Sequence, residues 1–260
     1  MKNRCPQCNF GRSWQLQDGR KKCRKCGKVF TPKKSIWNHY RISNKEKKKL
    51  VEYFSLGVPV YRARFRLSCS LKTAEKFYRD IRMVLTMQEQ AQEPLQGALE
   101  MDEALFGGKN KGGKRGWGAQ RKILVFGIIK RNGKVRLSIV PNRRRHTLLQ
   151  EIIKHTKPGS LYYTDDYKAY ASLPLRGDHV VVHKVKGKPK GRDHVNGIEG
   201  FWSYAKNWLY QYRGVHKKFF HLYLGEISFR FNHREEDILP YITRLLQETD
   251  YEKVREFGTE

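Results

Sequence analysis

Residues 123–140 read ILVFGIIKRNGKVRLSIV, and their pattern decides the architecture. Two apolar runs, 123–130 and 134–140, flank Asn132-Gly133. That dipeptide favours a tight hairpin turn because both residues tolerate a left-handed backbone. The stretch predicts two antiparallel strands. Upstream, Leu99-Glu100-Met101-Asp102-Glu103 alternates like a strand. Downstream, Thr147 is expected to cap a helix carrying Leu148, Leu149, Ile152 and Ile153. Residues 161–164 (LYYT) and 179–183 (HVVVH) read as further strands, and helices are expected over 194–210 and most of 217–250. Three strands, a helix, a strand, a short helix, a strand and then helices describe an α/β domain. No internal repeat interrupts that order.

The chain has 260 residues, room for one full domain plus smaller modules. Its 54 Lys and Arg against 25 Asp and Glu give a formal charge of +29. Such a charge suits a polyanion rather than acidic proteins or neutral metabolites. A disordered basic tail is excluded by 38% hydrophobic and 12% aromatic content, enough for a core. No run approaches the roughly 18 apolar residues of a membrane span, so no membrane partner is expected. Met1-Lys2-Asn3-Arg4-Cys5 has no apolar segment of a secretory signal, so the expected compartment is the cytoplasm. Cysteines there are metal ligands or free thiols rather than disulfides.

Residues 1–50 carry 16 Lys and Arg against Asp18 and Glu46, the densest positive charge in the chain. Four of five cysteines lie there, as Cys5-Pro6-Gln7-Cys8 and Cys23-Arg24-Lys25-Cys26. The intervening residues suffice for a hairpin that returns the second pair beside the first. Four thiolates in a tetrahedron select one structural Zn(II). Gly27, Trp14 and Phe30 fit a zinc ribbon. A redox pair would need one such motif, not two; an iron–sulfur cluster is the lesser alternative. His39 is not needed as a ligand, and Cys69 reads as a buried free thiol.

A helical module follows. Ser43 and Asn44 can cap a helix through Leu50, Val51, Phe54 and Leu56, ending at Gly57. Val58-Pro59 opens a short helix with Tyr61, Ala63 and Phe65. Residues 67–70 (LSCS) form a turn with Ser70 as cap, and a third helix carries Ala74, Phe77, Tyr78, Ile81 and Val84/Leu85. This resembles a helix-turn-helix whose last helix offers Lys72, Thr73, Lys76 and Arg79 to a DNA groove. The plainer reading is a helical linker with a solvated basic face. Residues 88–97 (QEQAQEPLQG) read as a polar linker.

Carboxylates fall at informative places: Asp102 in the first strand, Asp165 at the end of the fourth, Glu199 in the helix after the fifth. Such a trio at one sheet edge can hold two Mg(II) or Mn(II) ions for phosphodiester chemistry. In that helix Val195, Ile198, Trp202, Ala205 and Leu209 form an apolar stripe. Asn196, Glu199, Ser203 and Lys206 form the neighbouring polar stripe, with Glu199 and Lys206 two turns apart on one face. Taken alone, the pair also suits an ordinary solvated helix face.

The element order is similar to that of the ribonuclease-H-like fold. Residues 102–109 (DEALFGGK), 163–170 (YTDDYKAY) and 194–206 (HVNGIEGFWSYAK) resemble three motifs of DDE insertion-sequence transposases. The subgroup in question has an N-terminal zinc ribbon and an HxNxxExxxxxxK signature. Phe229-Arg230-Phe231-Asn232-His233-Arg234 resembles its FRFNxR segment. The resemblance spans nearly the whole chain. It implies a catalytic triad of Asp102, Asp165 and Glu199 on divalent metal, with Lys206 contacting DNA. It favours Asp165 over Asp166, and Glu100, on the face of Asp102, is the nearest substitute ligand; Glu103 beside Asp102 raises the same question.

The expected organisation is a zinc ribbon at 1–40, a helix-turn-helix-like module and linker at 41–92, and a ribonuclease-H-like domain at 93–260. Basic loops supply further DNA contacts, at Lys114, Arg115 and Arg121, at Arg144 within Arg143-Arg144-Arg145, and at Lys188 and Arg192; Asn196 joins them. Tyr204, Trp208, Tyr210 and Tyr212 can stack on bases or fill the core. The expected protein is a nucleoid-associated DNA transposase that binds double-stranded element ends and target, cleaves, and joins 3′-OH ends. A homodimer or larger assembly would bring two ends together. The rivals are a nuclease or resolvase without strand transfer, a non-catalytic DNA-binding regulator, and an RNA-binding ribbon protein.

Overall fold

The structure is a computed structural model that describes residues 4–32, 34–107, 122–183, 194–212 and 214–259. The chain divides into two compact units, residues 1–84 with 237–260, and residues 85–236. The sequence reading gives 237–260 to the catalytic domain; here those residues pack with the N-terminal unit. Among the described residues, no helix is long and apolar enough to cross a membrane.

The first unit opens with β1 (Ser13–Gln15), β2 (Lys21–Cys23) and β3 (Val29–Phe30), an antiparallel sheet in that order. Short helix α1 (Ile36–His39) follows, then α2 (Asn44–Ser55). The Ser43 hydroxyl caps α2 by accepting from the Glu46 amide at 3.1 Å. Gly57, at φ 73°, ends it in the left-handed region where a Cβ would be strained. Then come α3 (Val60–Ala63), a 3-10 turn at Arg64–Arg66, and α4 (Leu71–Gln90). Ser70 accepts from the Thr73 amide at 3.1 Å, as its position predicts. Ala74, Phe77, Tyr78, Ile81, Val84 and Leu85 are all buried, but Tyr61 and Phe65 are not. The stretch 88–97 is less of a linker than expected. No Gly or Pro occurs before Pro94, and Gln and Glu sustain the helix to Gln90. Helices α8 (Ile238–Glu248) and α9 (Tyr251–Phe257) complete the unit. Ile242 and Leu246 of α8 are buried, and α8 packs on α1 and α2.

The second unit is built on five strands: β4 (Ala98–Phe106), β5 (Ile123–Lys130), β6 (Val135–Ile139), β7 (Leu161–Thr164) and β8 (His179–Val181). Their order is β6-β5-β4-β7-β8; β4, β5 and β6 are antiparallel, whereas β7 and β8 run parallel to β4. Asn132 adopts φ 54° in the β5–β6 turn. Alternation along β4 sends Leu99 and Met101 into one core with Leu148 and Ile152 of α5 (Arg145–His155). It sends Ala104 and Phe106 into the other, with Ile198, Phe201, Trp202 and Ala205 of α6 (Asn196–Tyr210). Each large side chain so buried contributes on the order of 1.5–3 kcal/mol. Helix α7 (Phe220–Asn232) packs against edge strand β6. Thr147 is not the cap of α5. Arg144 holds the cap position without a side-chain cap bond, and Asn142 Oδ1 steadies the entry by accepting from the Arg144 amide and the Thr147 hydroxyl, both at 2.9 Å.

Candidate functional site

Two identical turns build the cysteine cluster. The Asn9 amide donates to the Cys5 carbonyl at 2.9 Å, and the Gly27 amide to the Cys23 carbonyl at 3.1 Å. Asn9 and Gly27 both take left-handed φ, 56° and 72°, so each chain reverses directly after its second cysteine. The four sulfurs all lie within 4.8 Å of one another, with Cys5–Cys26 and Cys8–Cys23 at 3.5 Å. A tetrahedral metal with bonds of about 2.3 Å needs sulfurs about 3.8 Å apart, so the cluster fits one ion such as zinc. Burial pushes the Cys23 thiol up, but the amides of Cys26 and Lys25 outweigh it and hold it at about 6. Against the Lys28 amide, burial and the Cys8, Cys5 and Cys23 sulfurs push Cys26 up to about 12. Thiolates this close repel one another, and a cation among them removes the conflict. Cys69 is half-buried in the turn before α4, apart from this cluster.

The carboxylates gather on the sheet of the second unit. In the parallel pairing of β4 and β7, Glu100 stands opposite Tyr163. Carrying that register forward two residues sets Asp102 level with Asp165, just past the end of β7. Asp102 also pairs with Gly127 of β5. The Trp202 indole N–H donates to Asp102 Oδ2 at 3.1 Å. Gly127 makes room for that indole: a Cβ there would lie 2.6 Å from the Trp202 ring. Glu199 is exposed one turn before Trp202 on α6, on the polar stripe with Asn196, Ser203 and Lys206, all exposed. Asp165 Oδ1 accepts from the Tyr167 amide at 3.2 Å, while Asp166 is exposed. Burial raises the Tyr170 hydroxyl pKa well above its usual value, and the negative charges of Glu103, Asp102 and Asp165 raise it further. Among the described residues, the four cysteines alone converge to metal-binding distance; the three carboxylates stand more openly.

Glu100 shares the face of Asp102, but it is not a spare ligand. It is buried, accepts from Arg131 Nε at 2.9 Å, and caps the start of α6 by accepting from the Ile198 amide at 3.0 Å. A carboxylate is favoured at that positive helix end. Gly197 lets it approach, since a Cβ would lie 2.8 Å from Glu100 Oε2. Arg131 also donates to the His194 carbonyl at 2.6 Å. Glu103 is likewise spent, accepting from Tyr170 at 2.7 Å and Arg143 at 2.9 Å. Sequence reasoning missed these supports. The available signals of close approach were glycines, Gly197 beside Glu100 and Gly127, isolated in an apolar strand, beneath Trp202.

The basic residues divide. Lys72, Lys76 and Arg79 are exposed on α4, and Lys76 donates to the Tyr251 hydroxyl at 2.7 Å. Arg144 is exposed before α5. Lys206 lines a cavity of about 670 Å³ with Phe106, Leu209, Tyr210 and Lys217. Lys114, Arg115, Arg121, Lys188 and Arg192 lie outside the described residues. Of the aromatics, Tyr204 packs on Phe201 and Phe231, Tyr212 meets Tyr223 edge-on, and Arg230 lies over Trp208. Tyr210 is exposed. The FRFNxR segment is structural in its contacts. Asn232 accepts from the Val135 amide at 2.7 Å and donates to its carbonyl at 3.1 Å, supplying the bonds a further strand would make to β6.

A family model described as ISXO2-like transposase domain matches residues 94–232. An uncharacterized transposase-like protein of Haemophilus influenzae is 36% identical over 103 residues, 39% of this chain and 84% of that protein. An uncharacterized protein in transposable element ISH50 of Halobacterium salinarum is 25% identical over 230 residues, 80% of this chain and 76% of that protein.

Proposed function

The chain belongs to the ISXO2-like transposase family, and on that premise we propose that it cuts and joins DNA at a DDE site. The observation that carries the reading is the parallel pairing of β4 with β7, whose register, carried two residues beyond Glu100 and Tyr163, brings Asp102 level with Asp165 just past the end of β7, with α6 tied to Asp102 through Trp202. The sheet order, with three antiparallel strands followed by two parallel ones, supports a ribonuclease-H-like fold. Oxygen-only carboxylates at an open sheet edge suit Mg(II) or Mn(II) rather than zinc. Two such ions would activate an attacking oxygen and stabilise the leaving oxygen in phosphodiester displacement.

This chain's own residues supply the geometry. Asp102, Asp165 and Glu199 are the ligands. Trp202 fixes the Asp102 carboxylate, and Glu100 with Arg131 fixes the start of the Glu199 helix. Lys206, two turns beyond Glu199, holds a phosphate. Water first cleaves the element end to leave a 3′-OH, which then attacks target DNA at the same site. The ribbon and the α3–α4 pair, read as a helix-turn-helix, recognise double-stranded ends through Lys72, Lys76 and Arg79, while Arg144 and Asn196 contact DNA beside the carboxylates. Two protomers or more hold two ends together on the nucleoid.

The test is a duplex carrying the inverted repeats that flank the gene, incubated with protein and Mg(II). Cleavage followed by joined products supports the reading. Cleavage without joining indicates a nuclease, binding without cleavage a regulator, and stronger binding of matched RNA a ribonucleoprotein.

A further inference from the structure

The segment 60–66 does not bury the face its pattern suggests. Val60 and Ala63 are buried, but Tyr61 is 68% and Phe65 79% exposed. Arg64 stacks on both rings, its guanidinium carbon 3.7 Å from the Tyr61 centroid and 4.3 Å from that of Phe65. Its Nη1 also donates to the Tyr61 carbonyl at 3.0 Å. Arg62 and Arg66 are exposed alongside.

The support beneath is firm. The Tyr78 hydroxyl donates to the Val58 carbonyl at 3.2 Å, and the Lys49 ammonium donates to the Arg66 carbonyl. Buried Glu46 accepts from the amides of Ser68 at 2.7 Å and Cys69 at 3.3 Å. Two exposed rings on a fixed base, interleaved with arginines, mark a contact surface. Charge selects the partner. Between Glu52 and Glu75 the chain holds Arg62, Arg64, Arg66 and Lys72 and no acid. A second copy of this chain would set these arginines against a protein of net charge +29.

Resting on the DNA-transposase reading above, we propose that residues 61–66 form a DNA-contact element additional to the basic face of α4. Arg62 and Arg66 meet backbone phosphates, and the Tyr61–Arg64–Phe65 stack lies against sugars and base edges. The arginine charge is retained in the stack, so it adds attraction while the rings exclude water.

The experiment measures anisotropy of a fluorescein-labelled mixed-sequence duplex with the full-length, zinc-loaded protein across a salt series. Arg62→Gln with Arg66→Gln should reduce the slope of log affinity against log salt by about two, one per lost phosphate contact. Tyr61→Ala with Phe65→Ala should weaken binding about tenfold at every salt while leaving the slope intact. If the aromatic pair disturbs folding, the arginine pair, which removes no packed side chain, decides alone. Wild-type binding that weakens with Lys72→Gln but not with either pair would overturn this proposal and leave the DNA reading standing. Wild-type protein that binds no duplex would overturn both. Loss of self-association in sedimentation, with DNA affinity unchanged, would make the patch a protein interface and also overturn it.

Discussion

The indole N–H of Trp202 lies 3.1 Å from Asp102 Oδ2, and no other residue type could stand at Gly127 without striking that indole. The hydrogen bond joins α6 to the central strand at the carboxylate on which the proposed chemistry depends. Trp202 also meets Phe106 edge-on, ring centroids 5.8 Å apart, so its ring cannot drift. In the proposed chemistry it would be a positioning residue, acting through Asp102.

Trp202→Phe keeps an aromatic ring but deletes the donor and part of the indole's bulk. A hydrogen bond to a charged group is worth about 1.5–3 kcal/mol, so the melting temperature should fall. The Mg(II) concentration needed for half-maximal cleavage should also rise several-fold, because Asp102 is no longer held. A melting shift with an unchanged Mg(II) requirement would reduce Trp202 to packing.

Gly127→Ala adds a methyl group 2.6 Å from the ring. Overpacking of this kind costs about 1–3 kcal/mol. The same Mg(II) titration should shift, although Gly127 has no side chain to offer a metal. Differential scanning calorimetry beside the titration checks both effects.

Zinc removal should unfold the ribbon, whose short strands enclose little core. Replacing Cys5 or Cys23 with Ser, or adding a chelator, should abolish end binding while sparing more of the cleavage of a pre-nicked duplex. Metal analysis of native protein should find about one equivalent of zinc. Less than about half an equivalent would reject the four-thiolate site.

Glu46 gives the first unit a pH signature. Its burial raises its carboxyl pKa, but hydrogen bonds from Ser68 and Cys69 win and hold it below the ordinary glutamate value. A depressed folded pKa adds stability that is complete above the unfolded value of about 4.3 and is lost as pH falls through the folded value. Glu46→Gln should flatten that acid limb and leave the neutral-to-alkaline limb unchanged. Thermal melts from neutral to acid pH compare the two.

Much of this was legible in the residues. Asn132-Gly133 and the flanking runs announce the β5–β6 hairpin, and the spacing Val195, Ile198, Trp202, Ala205 marks the buried side of α6. Periodicity assigns faces, and it placed Glu100 beside Asp102 correctly. It does not say who meets a residue on that face, so Glu100 passed for a spare ligand when Arg131 and the Ile198 amide already hold it. Tyr61 and Phe65 failed for the same reason: an apolar spacing shows a face, not a cover for it. Trp202 was counted as apolar surface, which hides its one polar atom. Asn232 works across 97 residues of chain, a distance at which no local pattern operates.

The central claim is that Glu199, with Asp102 and Asp165, holds the metal for strand cleavage. Glu199→Gln tests it most directly, since it preserves size and helix propensity, and Glu199 is exposed. Cleavage of the end duplex in Mg(II) should be abolished while binding and melting temperature stay near wild type. Lys206→Ala should lower the rate only in part. Glu199→Gln protein that cleaves at near wild-type rate would contradict the triad.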